Sequence, residues 1–157
     1  MKTFTEKKMK KFQMSLDSFR CLIPMYEKVK DNPQELYDFC MLHRNPAFDI
    51  SGTSQFNTGV ISKSARNSQS KKCKDHFIQR SLSMKFVFDE IHRNPNMEIN
   101  QFIEICLRYF SFVTVTKQEH DMVTSMAKKT GKYNFQLYRK CGIKLYGVGR
   151  HTKDLVK

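Results

Sequence analysis

Phe112-Val113-Thr114-Val115 is a β-branched run that leads without a spacer into Thr116-Lys117-Gln118-Glu119. The run reads as a strand. The next four residues have capping-box form, with the Thr hydroxyl on the amide three residues on and the Glu carboxylate reaching back. A helix is therefore predicted to start at Thr116, with His120 in its first turn. Helical spacing of apolar residues recurs elsewhere. It predicts a helix over 14–30 that Pro24 kinks or splits, and others over 34–44, 81–93 and 97–109. A short helix is expected around 134–140, with strands at 76–78 and 143–146. The chain thus reads as α+β and mostly helical. Leu42-His43-Arg44-Asn45-Pro46 and Ile91-His92-Arg93-Asn94-Pro95 echo one another and read as two similar helix stops.

The segment 51–74 is rich in Ser, Thr, Gly, Asn, Gln and Lys and poor in apolar residues, so it is expected to be a basic polar arm. Four parts follow: a helical segment 1–50, the arm 51–74, a core 75–130 and a basic extension 131–157. With 157 residues, 39% of them hydrophobic, and 13 Phe and 6 Tyr, the chain can build one core but not two large domains. No apolar run approaches the roughly 18 residues that cross a bilayer, and the N-terminus lacks a leader pattern. A cytoplasmic protein with no membrane partner is expected. The five cysteines are scattered and never form a Cys-x-x-Cys pair, so neither a disulfide framework nor a structural zinc is expected.

Charge narrows the function. The formal net charge is +13, and it is clustered: residues 1–12 carry +4, 61–85 carry +6 and 128–157 carry +8. Such clustering is the footprint of a protein that meets phosphate backbones, and it also occurs on solvated lysine-rich faces. Lys63, Arg66, Lys71, Lys72, Lys74 and Arg80 surround the Asp75-His76 pair. Lys128, Lys129, Lys132, Arg139, Lys140 and Lys144 follow the predicted helix and alternate with Tyr133, Phe135 and Tyr138. These are the candidate nucleic-acid contacts, with the aromatics assigned to closing a small core. His43, His92 and His151 read as structural or surface residues.

Two stretches carry candidate chemistry: Asp75-His76-Phe77-Ile78-Gln79-Arg80-Ser81, and Val113-Thr114-Val115-Thr116-Lys117-Gln118-Glu119-His120. Together they resemble the HNH, or His-Me finger, nuclease superfamily, whose core opens on Asp-His, continues through a second strand and ends on a helix bearing His or Asn. The resemblance implies a ββα-metal core: a two-stranded hairpin carrying a helical insertion between Ser81 and Tyr109, then a helix. It further implies His76 as general base, Asp75 and His120 as ligands of one divalent cation, magnesium or manganese, and Ser111 at the position of the family's central Asn. The function implied is metal-dependent phosphodiester cleavage, with DNA favoured over RNA. Two alternatives stay open: a non-catalytic nucleic-acid-binding or regulatory protein that keeps a degenerate finger, and a metal-independent ribonuclease.

Overall fold

The computed structural model describes residues 4–43, 56–67, 69, 71–76, 78, 80–131 and 136–147. The chain is α+β. Its contacts divide it into two units, each assembled from separate stretches of sequence: residues 1–53 with 80–109, and residues 54–79 with 110–157.

The first unit is helical, comprising α1 (Glu6–Val29), α2 (Pro33–Leu42), α4 (Arg80–Arg93) and α5 (Ile99–Tyr109). The helices are amphipathic at a 3.6-residue period, and Phe12, Leu16, Phe19 and Tyr26 form the buried stripe of α1. Pro24 lies inside α1 and does not end it. Anchors on both sides of the proline, Phe19 and Tyr26, are buried, and packing of this kind outweighs the backbone hydrogen bond that a proline removes. Phe88 of α4 is at the centre, with its ring 4.8 Å from Phe19, stacked at 4.9 Å on Tyr26, and 5.1 Å from Phe39. The Tyr26 hydroxyl donates to Asp89, and burial followed by that acidic partner pushes the phenol far above its ordinary range. Arg20 donates to the carbonyls of Pro95 (3.1 Å) and Met97 (2.6 Å), securing the α4–α5 turn. His92 pairs with Glu27 at 2.7 Å, and the His43 ring rests 4.7 Å from Phe39. His151 lies outside the described residues.

The second unit is built on a four-stranded sheet of order β2-β3-β1-β4. Its elements are β1 (Asn57–Ser62), α3 (Lys63–Asn67), β2 (Lys72–His76), β3 (Phe112–Thr116), α6 (Lys117–Thr130), α7 (Gln136–Lys140) and β4 (Leu145–Tyr146). The first predicted strand sits earlier than expected, at 72–76 rather than 76–78. It pairs antiparallel with β3, Asp75 opposite Val113 and His76 opposite Phe112.

The polar arm expected over 51–74 needs correcting, because β1 and α3 lie within it and β1 pairs parallel to β3. The reason is chemical. Inward positions of β1 are Thr58, Val60 and Ser62, so two of the three buried residues carry hydroxyls and the strand looks hydrophilic. Those hydroxyls are satisfied internally: Thr58 donates to the Phe112 carbonyl at 3.0 Å and Ser62 to Glu119 at 2.5 Å. β3 therefore has neighbours on both sides and is buried on both faces, more than a two-stranded hairpin would require.

All five cysteines are free thiols, and burial holds that of Cys40 up to about 11. Among the described residues, no helix is long and apolar enough to cross a membrane.

Candidate functional site

The strand-to-helix junction sets the site. Thr116 is the N-cap of α6: its hydroxyl accepts from the Glu119 amide at 3.2 Å, and Glu119 accepts from the Thr116 amide at 2.9 Å. The same carboxylate is gripped by Ser62 of β1, which binds the helix start to the sheet. Burial alone would raise the Glu119 carboxyl, but hydrogen bonds from Ser62, the Thr116 amide, Ser64 and the Thr116 hydroxyl outweigh it, and the group sits below its ordinary value.

With α6 so fixed across β2 and β3, His120 meets β2. Its Nδ1–H donates to Asp75 Oδ1 at 3.0 Å, across 45 positions of sequence. The other oxygen, Oδ2, accepts from the Tyr138 hydroxyl of α7 at 2.6 Å. Asp75 is 1% exposed, whereas the His120 side chain is 33% exposed and so forms the accessible edge of the pair.

His76 takes a different direction. Successive side chains of a strand point to opposite faces, so Lys74 and His76 share the face turned away from Asp75. The His76 ring packs edge-on to Phe112 at 5.8 Å, and Lys74 Nζ lies 5.1 Å from the centre of that Phe112 ring. His76 Nδ1–H donates to the Phe110 carbonyl at 2.9 Å, an acceptor that fixes the tautomer and makes Nε2 the proton-accepting nitrogen. Ser111 is buried between Phe110 and the first residue of β3. The structure thus unites Asp75 with His120 and sets His76 on the other face of the same strand.

The basic candidates divide in a similar way. Lys63, Lys71, Lys129 and Lys140 line one cleft together with Lys117 and Lys144. Lys72 and Lys74 are exposed on the His76 face of β2, while Arg66, Lys128 and Arg139 are exposed on helices. Arg80 opens α4 in the helical unit, and Lys132 lies outside the described residues.

Sequence reasoning missed Tyr138, read only as a core aromatic, and Lys117. Nothing local marks Tyr138, since its partner is 63 positions away. Among the described residues, no three His, Cys, Asp or Glu side chains gather into a metal-holding group. A two-residue set is a separate matter: Asp75 and His120 carry donor types that a divalent cation takes, but their 3.0 Å contact is a hydrogen bond through His120 Nδ1–H, so ligation by that nitrogen requires the ring proton to move to Nε2.

Comparison with family models, with curated proteins and with solved structures finds no match to this chain.

Proposed function

We propose that this chain is a divalent-metal-dependent nuclease of the ββα-metal type, cleaving phosphodiester bonds, with DNA favoured as substrate. The observation that carries the reading is the Asp75–His120 pair, one carboxylate and one imidazole 3.0 Å apart, delivered by an antiparallel strand pair and the helix that follows it. Asp75 and His120 are the residues to hold a magnesium or manganese ion. When bound, such an ion neutralises charge on the transition state and on the departing 3′-oxygen. His76 supplies the base: Nε2 takes a proton from water, the resulting hydroxide attacks phosphorus and the bond to the 3′-oxygen breaks. Ser111 stands next to the carbonyl that holds His76, in a positioning role.

This reading makes a geometric demand. His76 is the last residue of β2, and its ring leaves the strand on the face opposite Asp75. The scissile phosphate must therefore lie across the end of β2 to meet both.

Nicking of supercoiled plasmid tests the proposal. Cleavage is expected with magnesium or manganese and not with chelator, and His76→Ala should slow it about 10²- to 10⁴-fold, the usual worth of a general base. Binding in a shift assay should survive the substitution. Cleavage by His76→Ala at the wild-type rate would overturn the assignment. RNA cleavage that persists in chelator would point instead to the metal-independent ribonuclease.

A second reading has its own support. Asp75 is buried with both oxygens engaged, as a purely structural acid would be. It makes the chain a non-catalytic nucleic-acid-binding protein, and binding without cleavage under every divalent metal would select it.

A further inference from the structure

The lysine cleft of the second unit lies on the far side of α6 from the Asp75–His120 pair. Along α6, Gln118, Met122, Ser125 and Lys129 recur at three- or four-residue spacing and share the face that lines the cleft. His120 is two positions from both Gln118 and Met122, about 200° around the helix, so it faces the opposite way. The cleft encloses about 1370 Å³, more than the 300–1,000 Å³ typical of a small-molecule pocket.

Its charge is one-sided. Six lysines line it against two carboxylates, Glu119 and Asp121. Glu119 is engaged by Ser62 and Thr116, and Asp121 pairs with Lys117. Main-chain hydrogen bonds, moreover, fix four of the lysines at adjacent backbone positions. The Lys63 amide donates to the Lys144 carbonyl at 2.9 Å, and the Lys117 amide to the Lys71 carbonyl at 3.2 Å. Lys117 is already paired with Asp121, and the other lysines leave the cleft with an excess of positive charge that an anionic backbone complements. Met122, 44% exposed, and the half-buried Met126 give the cleft an apolar surface beside these lysines, while Ile143 is 8% exposed and lies mostly beneath it.

We infer that the cleft is an exosite for the sugar-phosphate backbone of an unpaired nucleic-acid strand, separated by the roughly 10 Å width of a helix from the site of chemistry. The phosphates meet the lysines and the exposed bases cover the apolar surface of Met122 and Met126. A duplex keeps its bases stacked inside and leaves such a surface uncovered. The inference rests on the proposed function only for the kind of polymer bound.

Fluorescence anisotropy of a short labelled single strand with the full chain, in chelator so that no cleavage intervenes, tests it. The triple variant Lys129→Glu, Lys140→Glu and Lys144→Glu should weaken binding about tenfold or more and reduce the slope of log affinity against log salt by about two. The corresponding Lys→Arg triple should bind as wild type does, which separates lost charge from lost folding. Lys7→Glu, Lys10→Glu and Lys28→Glu, exposed in the helical unit, change net charge equally and should leave the slope alone. Wild-type binding by the cleft triple, equal loss in both Glu triples, or tighter binding of the matching duplex would overturn the inference. His76→Ala should bind normally; absence of cleavage by the wild-type chain under every divalent metal, with cleft-dependent binding intact, would refute the nuclease and leave the exosite standing.

Discussion

Glu119 joins folding to site geometry in one side chain. It is buried, closes the capping box of α6 and takes the Ser62 hydroxyl from β1, so its charge holds the neighbouring His120 over β2. Its folded-state value lies below the ordinary 4.5, because hydrogen bonding to the carboxylate exceeds the penalty of burial. A depressed acid contributes stability that is present above the unfolded value and is lost as pH falls through the folded one. Glu119→Gln should therefore cost about 1–3 kcal/mol at neutral pH, and the gap to wild type should narrow below pH 4.5. Urea denaturation midpoints across that range give the answer, and a gap independent of pH would deny the carboxylate this role. The capping relation was legible in sequence because Thr116 and Glu119 are three residues apart. The grip of Ser62 was not, since it reaches across 57 positions from a strand that looks like a polar loop.

The helix α6 has readable punctuation at both ends, the Thr116 cap and Gly131, whose φ of +65° is a left-handed conformation that L side chains rarely adopt. Nothing lies within 4 Å of the place a Gly131 Cβ would occupy, so the cost of Gly131→Ala is backbone strain alone. That cost is about 1 kcal/mol, and the thermal midpoint should fall by about 2–4 °C. An unchanged midpoint would mean that the helix end relaxes. The strands were harder to read than the helices. β2, with the sequence Lys-Cys-Lys-Asp-His, has little strand propensity, and its inward Asp75 is tolerated because Tyr138 and His120 satisfy it. β1 escaped notice for the corresponding reason, hydroxyls at inward positions. Pro24, conversely, suggested a break that the buried residues around it do not allow.

Across the full chain the formal charge is +13, and the six lysines that line one cleft carry part of it. Self-repulsion of this kind weakens the folded state and is screened by salt, with a Debye length near 10 Å at about 0.1 M. Raising sodium chloride from about 10 mM to about 150 mM should therefore raise the thermal midpoint in calorimetry. A fall would show that surface ion pairs such as Lys85–Asp89 outweigh the repulsion. The topology lies at the same level. Residues 80–109 leave the sheet after β2 and join the N-terminal helices in the other unit, yet β2 and β3 still pair. The insertion between the strands was legible from its helical periodicity; its partnership with α1 and α2 was not.

Helix faces, helix stops and the Thr116 cap were determined locally, because the forces involved act within one or two turns of chain. The parallel seat of β1, the Tyr138 bond to Asp75, the divergence of His76 and the assembly of six lysines into a cleft were decided by tertiary structure. Each depends on which surfaces bury one another between residues far apart in sequence, such as His76 and Phe110 at 34 positions and Asp75 and Tyr138 at 63, a choice that spacing along the chain does not encode.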